Sequence, residues 1–274
     1  MKYFVLDIND GSNGVVENCL DALRLATLPG EAEIICFTHD EFVNRPSDEE
    51  FFEQTIDKLR DADILLSFTD RNLFIWYGRD PAFRKLFYEK IDSRTPFFFQ
   101  FMSVWEMYYG PGWGYSEYRR HYTDLLEYIE AFPTGIRIYN PDESKYFTHY
   151  TPEFEPVPID PNISCVFEVG RSVGIFEANL MTFGEGNSAL LRSHDRNIHD
   201  GTRDPGAGLP DFEKHSPFVI RNTEKHFGFF ISGTLMAVRY YHRAEHSAVR
   251  EANIAAIFNI VRELQSNVRM TTDA

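Results

Sequence analysis

Apolar runs of strand length alternate with amphipathic stretches through the first half of the chain. Residues 2–8, KYFVLDI, make a run of buried-strand length, which Asp10-Gly11-Ser12-Asn13-Gly14 breaks before Val15, Val16, Cys19, Leu20 and Leu23 recur at helical spacing. A second strand is expected at residues 33–38, an amphipathic helix at about 48–59, a third strand at 63–68 and a further helix at roughly 81–91. Residues 95–110, TPFFFQFMSVWEMYYG, read as a Pro-opened apolar strand running into an amphipathic helix, with Met102-Ser103 at the join. Strands alternating with helices imply parallel strands, because parallel neighbours need crossover connections and those are nearly always right-handed.

The second half is less periodic. A helix is expected around residues 117–129, a short strand at 136–139, and an irregular surface connection over 141–161, which carries five prolines. Residues 163–169, 173–183 and 188–192 have the pattern of antiparallel or mixed strands, with Gly184-Glu185-Gly186-Asn187 as a turn. Residues 192–214 are polar, aperiodic and rich in Gly, Asp and His, hence a long loop. The apolar pattern resumes at 218–221 and 227–232 and closes on a helix whose apolar face is Ile254, Ile257, Phe258, Val261 and Leu264. The expectation is one domain spanning residues 1–274. It is an α/β, flavodoxin-like or amidotransferase-like three-layer sandwich with a mixed, mainly parallel central sheet.

Composition narrows the function classes. The net charge of −15 repels phosphate backbones and anionic lipid, and no basic patch offsets it, so neither nucleic acid nor a membrane surface is an expected partner. No stretch of 18 uncharged apolar residues and no export-signal pattern is present. Cys19, Cys36 and Cys165 are odd in number, far apart and set among apolar neighbours, which predicts reduced buried thiols rather than a disulfide or zinc framework, and a cytoplasmic location. The 25 Phe, 14 Tyr and 3 Trp serve mainly as core, while Trp105, Tyr108 and Trp113 could stack on sugar faces.

With these elements in place, the chain resembles the class I glutamine amidotransferase-like superfamily, in particular its ThuA-like and biotin-protein-ligase N-terminal-like branches. The turn and helix NDGSNGVVENCLDAL are similar to those that open these branches, and Thr69-Asp70-Arg71-Asn72 resembles their GGRD-type loop. FRKLFYEKIDSRTPFFFQF is similar to the helix and strand leading to the nucleophile elbow, and REANIAAIFNIVREL to the last helix. The resemblance implies the fold and a binding place above the carboxyl ends of the central strands. It does not carry the activity: Met102 and Ser103 stand where the elbow has its Cys, and Ser232, at the end of FGFFISGT, stands where the family has its His. A glutaminase needs that thiolate and imidazole, so no glutaminase activity is expected.

The candidate ligand-binding residues are Ser12, Asn13, Asp70, Arg71, Met102, Trp105 and Glu106. They gather on the turns that follow successive parallel strands, where open α/β sheets bind ligands. Arg71 could grip an anionic group with paired hydrogen bonds, and a helix start at Ser103 could add N–H donors. Capping of the first helix by Ser12 or Asn13 is the plainer role for that turn. Asp7-Ile8-Asn9 is similar to the Asp-x-Asp of haloacid-dehalogenase-type phosphatases, but Asn9 replaces the second Asp and a strand end with a turn is favoured. Ser103 as nucleophile and His194 as base are the catalytic candidates, without the Gly-x-Ser-x-Gly that a strained elbow requires.

Ser193-His194-Asp195, His199, Asp200 and Asp204 lie on a loop with no fixed geometry, and His242 and His246 flank an exposed helix start, so no metal site and no cofactor are expected. The expected partner is a small polar ligand, carbohydrate-related in one version, and a homo-oligomer is compatible with the sequence. A hydrolase built on Ser103 or the His194 loop, and a structural or assembly protein without ligand, stand as alternatives.

Overall fold

The structure is a computed structural model that describes residues 1–9, 14–69, 80–101, 119–137, 153–156, 173–175, 179–189, 191–193, 218–222, 226–235 and 247–272. In chain order the first half contains β1 (Lys2–Asn9), α1 (Val15–Ala26), β2 (Glu33–Thr38), α2 (His39–Val43), α3 (Asp48–Asp61), β3 (Ile64–Ser67), α4 (Pro81–Asp92) and β4 (Phe97–Gln100). The second half contains α5 (Arg119–Tyr128), β5 (Ala131–Arg137), β6 (Glu153–Pro156), β7 (Val173–Gly174), β8 (Asn179–Phe183), β9 (Asn187–Ala189), β10 (Leu191–Ser193), β11 (Phe218–Asn222), β12 (Phe227–Ile231) and α6 (Ser247–Thr272).

Several boundaries are set by identifiable caps. Ser47 accepts the Glu50 N–H at 3.1 Å to start α3, and Asp80 accepts the Ala82 N–H at 2.7 Å with Pro81 in the first turn of α4. The short α2 begins at a capping box in which Thr38 and Glu41 satisfy each other's main-chain donors.

Seven strands form the central sheet in the order β2-β1-β3-β4-β12-β11-β9. The first five are mutually parallel, and β11 is antiparallel to both β12 and β9, so the sheet is mixed and mainly parallel. Strand alternation divides the core between the two faces. Tyr3, Val5, Ile64, Leu66, Phe98, Phe229 and Ile231 pack with α1 and α6, whereas Phe4, Leu6, Leu65, Phe97, Phe99 and Phe230 pack with α3, α4 and α5. The expected three-layer α/β sandwich is what forms.

At the centre, β4 supplies aromatic mass to both sides. Phe97 and Phe99 stack at 4.6 Å between centroids, Phe99 and Phe101 at 6.0 Å, and Phe87 of α4 closes on Phe99 at 5.8 Å. Room for this stack comes from the neighbouring strand. Gly228 of β12 is in register with Phe97, and a β-carbon there would lie 2.5 Å from the ring.

Some expected elements change. The strand expected at 173–183 is two separate strands, β7 and β8, and the one at 188–192 divides between β9 of the central sheet and β10 of a three-stranded sheet with β6 and β7. β5 begins at Ala131, ahead of the expected 136, and pairs with β8. Phe258, assigned to the apolar face of the last helix, is 37% exposed with the Arg262 guanidinium over its ring. The expected strand at 163–169 and helix after Ser103 lie outside the described residues, as do Tyr108 and Trp113. No described helix is long and apolar enough to cross a membrane.

Phe99→Ala should cost about 3–5 kcal/mol of stability by leaving a cavity in the aromatic stack. Phe258→Ala should cost no more than about 1 kcal/mol. Equal losses in urea denaturation would contradict this assignment of core and surface.

Candidate functional site

The strand order β2-β1-β3-β4-β12 has a reversal between β1 and β3. From β1 the chain passes through α1 on one face to reach β2; from β3 it passes to α4 on the other face to reach β4. Two adjacent strand ends therefore send the chain to opposite faces, the topological arrangement at whose carboxyl edge open α/β sheets generally take their ligands.

Asp7 sits at this point. The register of β1 against β2 shifts between Val5, opposite Cys36, and Ile8, opposite Phe37, and this irregularity re-aims the intervening residues. Asp7 has no exposed surface. One carboxylate oxygen accepts the Phe68 N–H and the other accepts the Thr69 hydroxyl at 2.7 Å, while the Thr69 N–H and the Ser67 hydroxyl also favour the charged form. Burial dominates and pushes the Asp7 carboxyl up to about 6, with those donors opposing it. The phosphatase-like role weighed for Asp7 is therefore excluded by its setting: both oxygens are engaged with the chain leaving β3, and none reaches solvent.

Other polar side chains brace the same edge. Asn9 donates to Glu17, which also pairs with Arg24 at 3.5 Å, linking the end of β1 to the start of α1. Gln100, fully buried at the end of β4, donates to the Cys19 sulfur at 3.4 Å and accepts the Leu235 N–H at 2.7 Å and the Thr234 hydroxyl at 3.3 Å. Asn253 of α6 exchanges hydrogen bonds with Gly174 at 3.0 and 2.8 Å and donates to the Leu235 carbonyl. The strand ends, α1 and α6 are thus joined through buried amides.

The surroundings of Cys19 and Cys36 disfavour the thiolate. Burial pushes the Cys19 thiol far up, and it pushes Cys36 up to about 12, with the Asp7 charge adding in the same direction. Both are free, as expected, although Cys36 is only half-buried; Cys165 lies outside the described residues. Among the described residues no group of three or more His, Cys, Asp or Glu could hold a metal ion.

Ser12, Asn13, Asp70, Arg71, Met102, Ser103, Trp105, Glu106 and His194 lie outside the described residues. The described residues that precede them are informative. Asn9 ends β1, Phe101 directly follows β4 and Thr69 lies two residues beyond β3, three adjacent parallel strands at one edge. Ser193, which precedes His194, ends β10 in a different sheet.

One expectation is corrected. The N-cap of α1 is Gly14, not Ser12 or Asn13, with φ 66° and no capping side chain. The helix starts one residue after a left-handed turn that favours a residue without a β-carbon. The bracing roles of Asp7, Thr69 and Gln100 were missed from sequence. A carboxylate and an amide closing otherwise apolar runs, KYFVLD and FFFQ, were the available signal.

No family sequence profile matches the chain, and no curated protein sequence matches it. The fold is similar to that of cytoplasmic protein STM1381 from Salmonella typhimurium LT2, which is 13% identical over 93% of this chain and 98% of that chain, with a TM-score of 0.51. It is also similar to the mmIFT52 N-terminal domain, 10% identical over 94% of this chain and 97% of that domain, again with a TM-score of 0.51. At these identities the likeness is one of fold alone.

Because the Asp7 carboxyl titrates near 6 in the fold against an ordinary 3.8, the folded state binds its proton more tightly. Its contribution is complete below the ordinary value and is lost as pH rises through about 6, a change of about 3 kcal/mol. Wild-type stability should therefore fall relative to Asp7→Asn by roughly that amount between about pH 4 and pH 7. A pH-independent difference in denaturation free energies would contradict it.

Proposed function

We propose that this chain is a non-glutaminase, amidotransferase-like protein that binds a small polar, hydroxyl-rich ligand in the crevice between the carboxyl ends of β1 and β3. The observation that carries this reading is Asp7 holding Phe68 and Thr69 at the strand-order reversal. A buried carboxylate is costly, and here it fixes the point from which residues 70–79 depart. Positioning of that kind suits a binding edge.

The described carboxylate, amide and hydroxyl groups behind that edge are buried and bonded to the protein, so in this reading they position the turns and the ligand's hydroxyls meet residues on the turns themselves. Ser12, Asn13, Asp70, Arg71, Met102, Trp105 and Glu106 are our proposed ligand contacts, with Arg71 meeting any acidic substituent and Trp105 a sugar face. We place the protein in the cytoplasm, a reading supported by the cytoplasmic designation of STM1381.

The loss of glutaminase chemistry follows from Ser232, fully buried at the end of β12 where the family carries His, and from Met102 and Ser103 at the elbow. No ammonia release from glutamine is expected. Release that a thiol-reactive glutamine analogue abolishes would refute this.

A thermal-shift screen of neutral sugars, polyols and their acidic derivatives tests the binding reading. At least one should raise the melting temperature of the wild-type protein. Thr69→Val, which removes the hydroxyl bonded to Asp7 while keeping its shape, should weaken that ligand about tenfold, the equivalent of one hydrogen bond. No stabilising compound, or affinity unmoved by Thr69→Val, counts against the site.

A further inference from the structure

β2 is the outermost strand of the central sheet among the described residues. The Glu33 N–H bonds to the Met1 carbonyl at 2.8 Å, which turns the main-chain groups of Glu33 and Ile35 toward β1. Those of Ile34 and Cys36 therefore point outward, since successive residues of a strand alternate. No main-chain bond from a described residue meets them there. The next outward donor, the Thr38 N–H, is taken by the Glu41 carboxylate at 2.7 Å and limits the open stretch.

Edge strands are ordinarily blunted by lysine, proline or a bulge of their own. β2, EIICFT, contains no lysine or proline, and the shift in its pairing falls where β1 carries the extra residues. Its surroundings are also apolar. Leu25, Leu28 and Val43 are 71%, 57% and 55% exposed, more than any other large hydrophobic among the described residues. They lie at the end of α1, in the turn entering β2 and in α2 leaving it. Scattered exposed apolar residues are ordinary, but these three lie on the segments that immediately precede and follow the open strand in the chain.

We propose that the outer edge of β2 accepts an extended, basic segment of a partner protein as an added strand, joined through the main-chain groups of Ile34 and Cys36. This is binding by strand addition, in which main-chain bonds supply register and the flanking side chains supply selectivity. Charge selects the occupant. Glu33 at one end of β2, and Asp40 just beyond the other, are exposed. The basic groups described nearby are already placed: Lys2 pairs with Asp61 at 3.1 Å, and Lys58 lies over the Phe37 ring at 5.3 Å. A second copy of the chain would bring another net charge of −15 to the same edge, whereas a segment with lysines flanking an apolar centre complements it.

The test uses the full chain and the synthetic peptide Lys-Val-Thr-Val-Thr-Val-Lys, followed by calorimetry and amide hydrogen exchange. Binding should slow exchange at Ile34 and Cys36. Ile34→Pro removes an outward N–H without touching the β1 ladder and should weaken binding about tenfold or more. Glu33→Lys combined with Asp40→Lys, at two exposed positions, should do the same and keeps the test decisive if the proline variant fails to fold. A peptide N-methylated along its bonding edge should not bind.

Three results would overturn the proposal. These are an absence of peptide binding, equal binding by the N-methylated peptide or by one with Glu in place of Lys, and protection of Ile34 and Cys36 by concentration-dependent self-association without peptide.

Discussion

A carboxylate with no exposed surface organises this molecule's functional edge. Asp7 closes an apolar strand, and burying its charge is unfavourable unless donors surround it. The donors come from the chain leaving the neighbouring strand: the Phe68 N–H and the Thr69 hydroxyl. The same contacts that make the charge tolerable therefore fix the chain at Phe68 and Thr69, just beyond the end of β3. Removing either side of the arrangement leaves the other exposed to the full cost of an unsatisfied buried group.

The sheet places that interaction at the edge where we propose that ligand binds. β1 and β3 are neighbours whose crossovers run to opposite faces, the arrangement at which open α/β sheets generally bind ligands. Around it the aromatic stack of β4 fills the layer beneath α4, and Gln100 and Asn253 tie the strand ends to α1, α6 and β7. The edge is thus a rigid frame bearing polar groups. The outer edge of β2 differs in kind, with main-chain groups that no described residue's main chain meets.

Apart from the five-residue α2, which buries no side chain and was not expected, the described strands and helices of the first half were legible in the sequence because period-2 and period-3.6 patterns there coincide with real burial. Val15, Val16, Cys19, Leu20 and Leu23 are buried on α1 as their spacing required. The second half was harder, because β7, β9 and β10 are only two or three residues long and exchange between sheets, too short for alternation to register. Phe258 was misplaced because a helix seen on one face of a sheet can expose one flank of an apolar stripe. The sequence order of strands and helices was enough to propose the carboxyl edge as the site, although the candidate residues themselves lie outside the described ones. The bracing by Asp7 and Gln100 was not legible, since a polar residue ending an apolar run reads equally as a strand boundary until its long-range partners, 61 and 135 residues away, are known.

The central claim is that ligand binds at the carboxyl edge between β1 and β3. Amide chemical-shift mapping, with the sugar or polyol that stabilises the protein most, tests it directly. The account predicts changes concentrated at Asn9, Glu17, Phe68, Thr69 and Phe101, with Lys2, Glu33, Asp63 and Phe97 at the amino ends of the same strands unmoved. Changes confined to those amino ends, or to the outer edge of β2, would contradict it.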